Sequence, residues 1–252
     1  MTDILLAARD AGVLTLTLNR PDKCNALSRE LIDALRAAAD QADLDSDVQV
    51  VVIRGAGRDF CAGLDLAELL GSVDRSFGDN EADALRLGEL FLSLRRMPKP
   101  VIAAVRGNAL AGGCGLATAC DLVLASSDAR LGYPEVQRGF VPAVVLVLLR
   151  RLVGEKLAFD LAATGRLLTA EEARHAGLIS RVLLPETFDT DIASVAAALA
   201  GGSATALGLT KRLLYELDGL SVADGIRLGA RVNAVARSAP DLRELVGRFL
   251  HR

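Results

Sequence analysis

A glycine-rich stretch in the middle of the chain, residues 107–116, places the strongest constraint on the fold. It follows an apolar run, residues 100–105, and precedes a segment of small residues, 116–120, that we interpret as a tightly packed helix. A strand, a glycine turn and a helix start together expose backbone N–H groups at the positive end of a helix dipole. One interpretation is that Gly112 donates to an oxygen that becomes anionic during a reaction. The alternative is that the glycines only let a helix pack closely against a strand.

Composition predicts a folded protein whose partners bind in pockets. The chain has 252 residues, of which 51% are hydrophobic and 24% charged, so it can bury a substantial core and is not disordered. Its net charge of −3 comes without a basic face or a polybasic run, which predicts neither nucleic acid nor a membrane surface as a partner. The longest apolar run, residues 140–149, is about half of the roughly 20 residues that a membrane span needs. We interpret it as core or as a pocket wall.

The four cysteines carry no metal-binding or disulfide pattern. They lack a CxxC pair and a histidine at zinc spacing, which predicts no metal site and reduced thiols in a cytoplasmic protein. An early acidic residue, Asp3, and the pair Arg9 and Asp10 interrupt the N-terminal apolar residues, so we expect no signal peptide.

The order of strand and helix patterns predicts a β/α core followed by helices. Residues 12–18 and 48–53 are typical of strands, and Ser28 is a candidate N-cap for the helix between them. Residues 67–80 are mixed in character and are predicted to form a loop. After residue 142 the pattern is helical except for a strand at 178–183. We therefore divide the chain into a core domain, residues 1–195, and a helical region, residues 196–252.

Among the residues that could perform chemistry, Glu135 is the leading candidate. Neither histidine suits catalysis, because His175 lies on a predicted solvent face and His251 is next to the C-terminus. Glu135 follows a predicted strand, and apolar surroundings can raise the pKa of a glutamate so that it serves as a general acid and base. The alternative is that Glu135 is a helix-start acid stabilised by the helix dipole.

Several motifs occur together, in order, over nearly the whole chain. They are Leu18-Asn19-Arg20-Pro21-Asp22-Lys23 with Asn25-Ala26-Leu27, Phe60-Cys61-Ala62-Gly63-Leu64-Asp65-Leu66, Ala109-Leu110-Ala111-Gly112-Gly113-Cys114, Cys120-Asp121, Pro134-Glu135-Val136 with Gly139, Thr164-Gly165-Arg166, and residues 173–178. This series closely resembles the enoyl-CoA hydratase/isomerase (crotonase) family.

The resemblance implies an α/β fold, a spiral of ββα units ending in a helical region that completes homotrimers or dimers of trimers. It also implies that the backbone N–H groups of Leu64 and Gly112 hold the oxygen of an acyl-CoA thioester, and that Glu135 is catalytic. Coenzyme A would be part of the substrate, with no separate cofactor. The resemblance assigns binding of substrate and coenzyme A to Lys23, Cys24, Ala26, Ala62, Asp65, Leu66 and Gly113. For Lys23, a solvated turn lysine is the alternative interpretation.

The reaction type is the open point of the resemblance. Family hydratases commonly have two catalytic glutamates, and Gly115 stands where the first is expected. Similarity to bacterial hydratases around Tyr133 and residues 139–143 favours reversible hydration of a 2-enoyl-CoA. One alternative is isomerisation of a 3-enoyl-CoA by Glu135 alone, and another is a CoA-thioester-binding protein with little turnover. The run at residues 143–146 also replaces a glycine-rich run of the family, which alters the predicted acyl pocket.

Overall fold

The computed structural model describes residues 4–250, and nine strands within this range form two β-sheets. The strands are β1 (Leu5–Asp10), β2 (Val13–Leu18), β3 (Val50–Gly55), β4 (Val101–Val105), β5 (Asn108–Leu110), β6 (Leu122–Ser126), β7 (Arg130–Gly132), β8 (Leu167–Thr169) and β9 (Arg181–Leu183). The larger sheet has the order β1-β2-β3-β4-β6-β9, and the smaller sheet has the order β5-β7-β8.

Ten helices within residues 4–250 surround these sheets. They are α1 (Arg29–Leu44), α2 (Leu66–Leu70), α3 (Phe77–Arg96), α4 (Gly112–Ala119), α5 (Ala143–Thr164), α6 (Ala170–His175), α7 (Phe188–Ala200), α8 (Ala204–Glu216), α9 (Val222–Arg237) and α10 (Pro240–Leu250). Two short 3-10 turns, Pro21–Lys23 and Pro134–Arg138, follow β2 and β7.

The larger sheet is parallel except for the β1–β2 hairpin, and its central strands are covered on both faces. In β3, Val51 and Ile53 belong to the main core that contains residues of α1 and α3, whereas Val50 and Val52 pack with residues of α7. Burial on both faces explains why β3 and β4 are nearly continuous apolar runs. The carboxyl ends of these strands lead into the turns that form the candidate site.

Most of the predicted elements are present. Ser28 caps α1, because its hydroxyl accepts a hydrogen bond from the N–H of Leu31 at 3.2 Å. Helix α5 lies in the region predicted to be helical after residue 142, and it is kinked at Gly154 with φ 75° and ψ 170°. We did not predict β1, an edge strand in which only Leu5 is buried, because it lacks the alternating pattern of a half-buried strand.

The loop prediction for residues 67–80 is wrong. Residues 66–70 form α2, and α3 already begins at Phe77. Two caps explain the helices: the Asp65 carboxylate accepts from the N–H of Ala67, and the Ser76 hydroxyl accepts from the N–H of Asp79. The cap residues are present in the sequence, but the weak apolar pattern between them conceals the helices.

The predicted domain boundary between residues 195 and 196 lies within α7. Phe188, Ile192 and Ala196 of α7 pack together against the larger sheet. The next helix, α8, is attached through Lys211, whose ammonium group pairs with Asp121 at 2.7 Å in a buried site. The proposed division therefore stays a prediction.

No single helix among residues 4–250 is long and apolar enough to span a membrane, and α7 and α8 meet that test only as a pair bent by 101°.

Helix α4 is completely buried, and its glycines allow its neighbours to approach closely. A Cβ atom on Gly113 would lie 2.2 Å from the carbonyl oxygen of Cys61, and one on Gly115 would lie 2.2 Å from Cγ1 of Val145. Phe91 of α3 also closes the space beside Gly115, with Cζ 3.0 Å from that Cβ position. The packing role proposed for the glycines is thus present, and it coexists with a helix start at Gly112 whose N–H has no acceptor within the helix.

Replacing Gly115 by alanine should destabilise the protein by about 1–2 kcal/mol, measured by urea unfolding. Alanine favours a helix by about 1 kcal/mol over glycine, but the clash with Val145 outweighs this gain because overpacking costs about 1–3 kcal/mol. The double variant Gly115→Ala/Val145→Ala should be more stable than the sum of the two single changes predicts, because Val145→Ala frees the required space. In the matched control Gly229→Ala, on α9, the new Cβ meets nothing within 4 Å, so stability should not fall. Additive changes at residues 115 and 145 would contradict the packing assignment.

Candidate functional site

A cavity of about 680 Å³ lies between α1, α2, α3, the start of α4 and the start of α5. Its wall is mainly apolar, with Leu27, Ile32 and Leu87 among its residues. Leu64, Gly112 and Glu135, from three separate parts of the chain, also line it. An apolar cavity with a few converging polar groups is the usual form of a small-molecule site.

The N–H of Leu64 is held by a short parallel bridge to Leu27. The N–H of Leu27 donates to the carbonyl oxygen of Gly63 at 2.7 Å, and the N–H of Asp65 donates to the carbonyl oxygen of Leu27 at 3.0 Å. Leu64 lies between these two hydrogen bonds, and its own N–H has no acceptor among residues 4–250. The backbone on both sides therefore fixes this free donor.

Gly112 is the first residue of α4, so its N–H has no acceptor within the helix. The preceding residue, Ala111, has φ 53° and ψ −126° and supplies no side-chain cap. A Cβ on Gly112 would lie 3.7 Å from the nitrogen of Leu64, and one on Gly63 would lie 3.2 Å from the nitrogen of Gly112. The two unpaired donors are therefore close neighbours in the cavity wall.

Glu135 lies in the 3-10 turn that follows β7, and only 8% of the residue is exposed. Its Oε2 atom is buried and has no hydrogen-bond partner within the described part of the chain. Burial raises the pKa of the Glu135 carboxyl above the ordinary value of 4.5, while the positive charge of Arg138 partly opposes this rise. A buried carboxyl with a raised pKa is a candidate for general acid and base catalysis.

Gly115 does not line the cavity. Val145 occupies the space beside it and itself contributes to the cavity wall. The other carboxylates of the wall have hydrogen-bond or ion-pair partners: Asp65 pairs with Arg20 at 2.8 Å, Asp83 is paired with two arginines, and Oε2 of Glu68 accepts from the N–H of Arg29 at 2.9 Å. Burial raises the pKa of Glu68 as well as that of Glu135. Glu135 differs from these carboxylates because its Oε2 atom is buried without a hydrogen-bond partner among the described residues.

The predicted coenzyme A segments occupy the turn after β2 and the turn before α2. Asp65 and Leu66 line the cavity, whereas Lys23, Cys24, Ala26, Ala62 and Gly113 lie outside its wall. Lys23 and Cys24 are exposed, and Ala26 is buried next to Leu27. Gly113 packs against Cys61. The binding roles of these residues stay predictions.

The remaining polar candidates lie outside the cavity. His175 is exposed, and its Nδ1 contacts the carbonyl oxygen of Glu171 at 2.7 Å. His251 lies outside the described residues. Within residues 4–250 no group of three histidine, cysteine or acidic side chains is arranged to hold a metal ion.

We had not identified two residues that shape the site, Arg138 and Arg20. Arg138 stands one turn after Glu135, and this spacing could have indicated the charge beside the carboxyl. Arg20 was part of a recognised motif, but its contact with Asp65 joins segments that are distant in sequence. Val145 belongs to the run at residues 140–149 that was expected to be core or pocket wall, and it is both.

Comparisons with known proteins agree with the observed fold. Residues 8–249 match the family described as enoyl-CoA hydratase/isomerase. A Thermus thermophilus protein named as an enoyl-CoA hydratase is 43% identical over 240 residues, covering 95% of each chain. A peroxisomal Delta(3,5)-Delta(2,4)-dienoyl-CoA isomerase of Arabidopsis thaliana is 32% identical over 255 residues, covering 97% of this chain and 92% of the isomerase.

A solved structure of a similar protein has the same fold over nearly the whole chain. The crystal structure of an enoyl-CoA hydratase from Mycobacterium smegmatis superimposes with a TM-score of 0.94 and 34% identity, covering 98% of this chain and 96% of that one. The predicted crotonase-type α/β fold is confirmed. The match over nearly the full length establishes that this chain belongs to the enoyl-CoA hydratase/isomerase family of acyl-CoA-processing enzymes.

Proposed function

We propose that this enzyme hydrates a 2-enoyl-CoA reversibly, with one carboxyl group as the proton carrier. The supporting observation is the convergence of two unpaired N–H donors, on Leu64 and Gly112, in the cavity that also holds the buried carboxyl of Glu135. Relatives named as hydratases are consistent with this activity.

In the proposed reaction the thioester oxygen accepts hydrogen bonds from Leu64 and Gly112. Ionised Glu135 takes a proton from water while the water oxygen bonds to C3 of the enoyl group. The electron pair of the C2–C3 double bond moves toward the thioester, and the negative charge develops on its oxygen, where the two donors stabilise it. Protonated Glu135 then gives its proton to C2. Water is thereby divided between C3 and C2, and Glu135 returns to its ionised form.

Isomerisation of a 3-enoyl-CoA to the 2-enoyl form is the second candidate. It is favoured by the packing of Val145 beside Gly115, which leaves no room for a carboxylate at residue 115 to hold water. Here Glu135 removes a proton from C2, the same two N–H groups stabilise the enolate, and the proton returns to C4 as the double bond moves. The named dienoyl-CoA isomerase is a relative with a reaction of this class.

Other features of the proposal come from the family resemblance. The acyl-CoA thioester is the substrate, and we propose that no separate cofactor takes part. Assembly into homotrimers or dimers of trimers, a cytoplasmic location, and the absence of nucleic-acid or membrane partners stay predictions from the sequence.

An absorbance assay separates the candidate activities. Hydration should remove the absorbance of the conjugated thioester when the purified protein is given a 2-enoyl-CoA. Isomerisation should create that absorbance from a 3-enoyl-CoA. If the protein binds both thioesters without either change, it is a CoA-thioester-binding protein, and both catalytic proposals fail.

Glu135→Gln should lower kcat at least about a hundredfold, because the amide keeps the shape of the side chain but cannot carry the proton. In the wild-type enzyme, kcat/KM should fall as the pH drops through the pKa of Glu135, since the ionised form must accept the first proton. Burial raises this pKa, so the fall should be centred above pH 4.5.

The Arg138→Gln variant is the control for the charge effect. Removing the positive charge should raise the pKa of Glu135 further and move the fall in kcat/KM to higher pH. Near-normal turnover of Glu135→Gln would contradict the assignment of Glu135 as the proton carrier. A fall in the kcat/KM of the wild type centred at or below pH 4.5 would contradict it as well.

Gly112→Pro should lower kcat by about a hundredfold or more, because proline removes one backbone donor while its fixed φ suits the first position of a helix. Gly112→Ala is the matched control. It retains the N–H, and its Cβ would meet only ordinary contacts at 3.6–3.7 Å, so its kcat should stay far closer to the wild-type value. Steady-state kinetics with equal losses in both variants would mean that the N–H of Gly112 has no special role.

A further inference from the structure

Arg20 links the chain segment that carries the Leu64 donor to the segment of Leu27, with which Leu64 is paired. Its side chain is only 18% exposed, and its guanidinium uses two nitrogens. One donates to the carbonyl oxygen of Ala26 at 2.5 Å, and the other donates to Oδ2 of Asp65 at 2.8 Å. The two acceptors belong to different turns, one after β2 and one before α2.

These acceptors stand directly beside the bridge between Leu27 and Leu64. Ala26 precedes Leu27, and Asp65 follows Leu64. By binding Ala26 and Asp65, the guanidinium therefore links the same two backbone segments that the bridge between Leu27 and Leu64 joins. A displacement of either contact would change the angle at which the N–H of Leu64 points into the cavity. Arg20 itself does not line the cavity, so its effect on the cavity passes through these contacts.

Asp65 is constrained from a second direction. Its Oδ1 atom accepts from the N–H of Ala67 at 3.0 Å and caps α2, and the carboxylate is 12% exposed. The hydrogen bond from Arg20 is the main cause that lowers the pKa of Asp65, so the carboxylate is held in its charged form. The guanidinium, the carboxylate and the first turn of α2 therefore act as one unit next to Leu64.

We propose that Arg20 is a positioning residue for catalysis: its two-point contact with Ala26 and Asp65 sets the direction of the Leu64 N–H toward the thioester oxygen. This inference rests on the proposed function, in which that N–H stabilises an enolate. The planar fork of arginine suits this site, because two separate guanidinium nitrogens reach the carbonyl and the carboxylate in directions that the fork fixes. Lysine can also donate to a carbonyl and a carboxylate together, as Lys211 does, but all its donors are on one nitrogen without a fixed fork.

The test compares Arg20→Lys with the control Arg166→Lys in steady-state kinetics. Arg166 also pairs with a carboxylate, that of Asp160 at 2.7 Å, but Asp160, unlike Asp65, does not line the cavity. Arg20→Lys should lower kcat by about tenfold to a hundredfold, because an oxyanion donor that points in the wrong direction stabilises the transition state less. KM should change less than about threefold, because the cavity wall itself is not altered. Arg166→Lys should leave both constants within about twofold of the wild-type values.

A double variant distinguishes positioning from general support of the fold. If Arg20 acts through the oxyanion site, Arg20→Lys should cost much less in the Gly112→Pro background than in the wild type, because groups that act as a unit are not additive. Thermal melting is measured for every variant. Should Arg20→Lys fail to fold, Asp65→Asn, which keeps the side-chain shape and removes the charge, must show the same loss of kcat.

The outcomes separate this inference from the proposed function. The positioning role alone is overturned if the wild type is active and Arg20→Lys keeps its kcat or changes only KM. It is also overturned if the losses of activity from Arg20→Lys and Gly112→Pro are additive. A folded wild type that neither hydrates nor isomerises an enoyl-CoA overturns the proposed function, and the positioning role with it.

Discussion

The structure depends on the close approach of two backbone segments, residues 61–64 and the first turn of α4. A Cβ on Gly113 would meet the carbonyl oxygen of Cys61 at 2.2 Å, and one on Gly63 would meet the Cβ of Ala111 at 2.8 Å. Neither distance can be reached by real side chains without moving the backbone. Gly63 also has φ +97°, a conformation that glycine adopts without strain. This contact brings two free N–H groups from distant parts of the chain to one cavity wall.

The same close packing of α4 keeps an acidic side chain from entering the cavity at residue 115. Gly115 leaves room for Val145 and Phe91, and these apolar side chains fill the space that a longer residue would need. Glu135 is thus left without a carboxylate partner from α4 and is largely buried, so its charged form loses the solvation of water and its pKa rises. A buried carboxyl with a raised pKa is suited to taking a proton and returning it, which both candidate reactions require.

Ion pairs and caps then attach α2, a helix too short to be stable alone. Asp65 caps its start and pairs with Arg20, while Oε2 of Glu68 accepts the N–H of Arg29 at the start of α1 at 2.9 Å. Through these contacts α2 becomes a wall of the cavity and supports the turn that carries Leu64. Local helix preference contributes little here, which explains why residues 67–80 look like a loop in the sequence although part of them is helical.

The sequence by itself determined the family and most of the strand and helix order, and it made Glu135 the leading candidate, because ordered motifs and apolar periodicity are local properties of the chain. It also indicated a helix start at Gly112, but it left open whether the glycines serve the donor, the packing or both. Tertiary structure decided what surrounds these groups. The pairing of Arg20 with Asp65, the filling of the space beside Gly115 by Val145, and the meeting of the Leu64 and Gly112 donors all join segments far apart in sequence, and only folding brings such segments into contact.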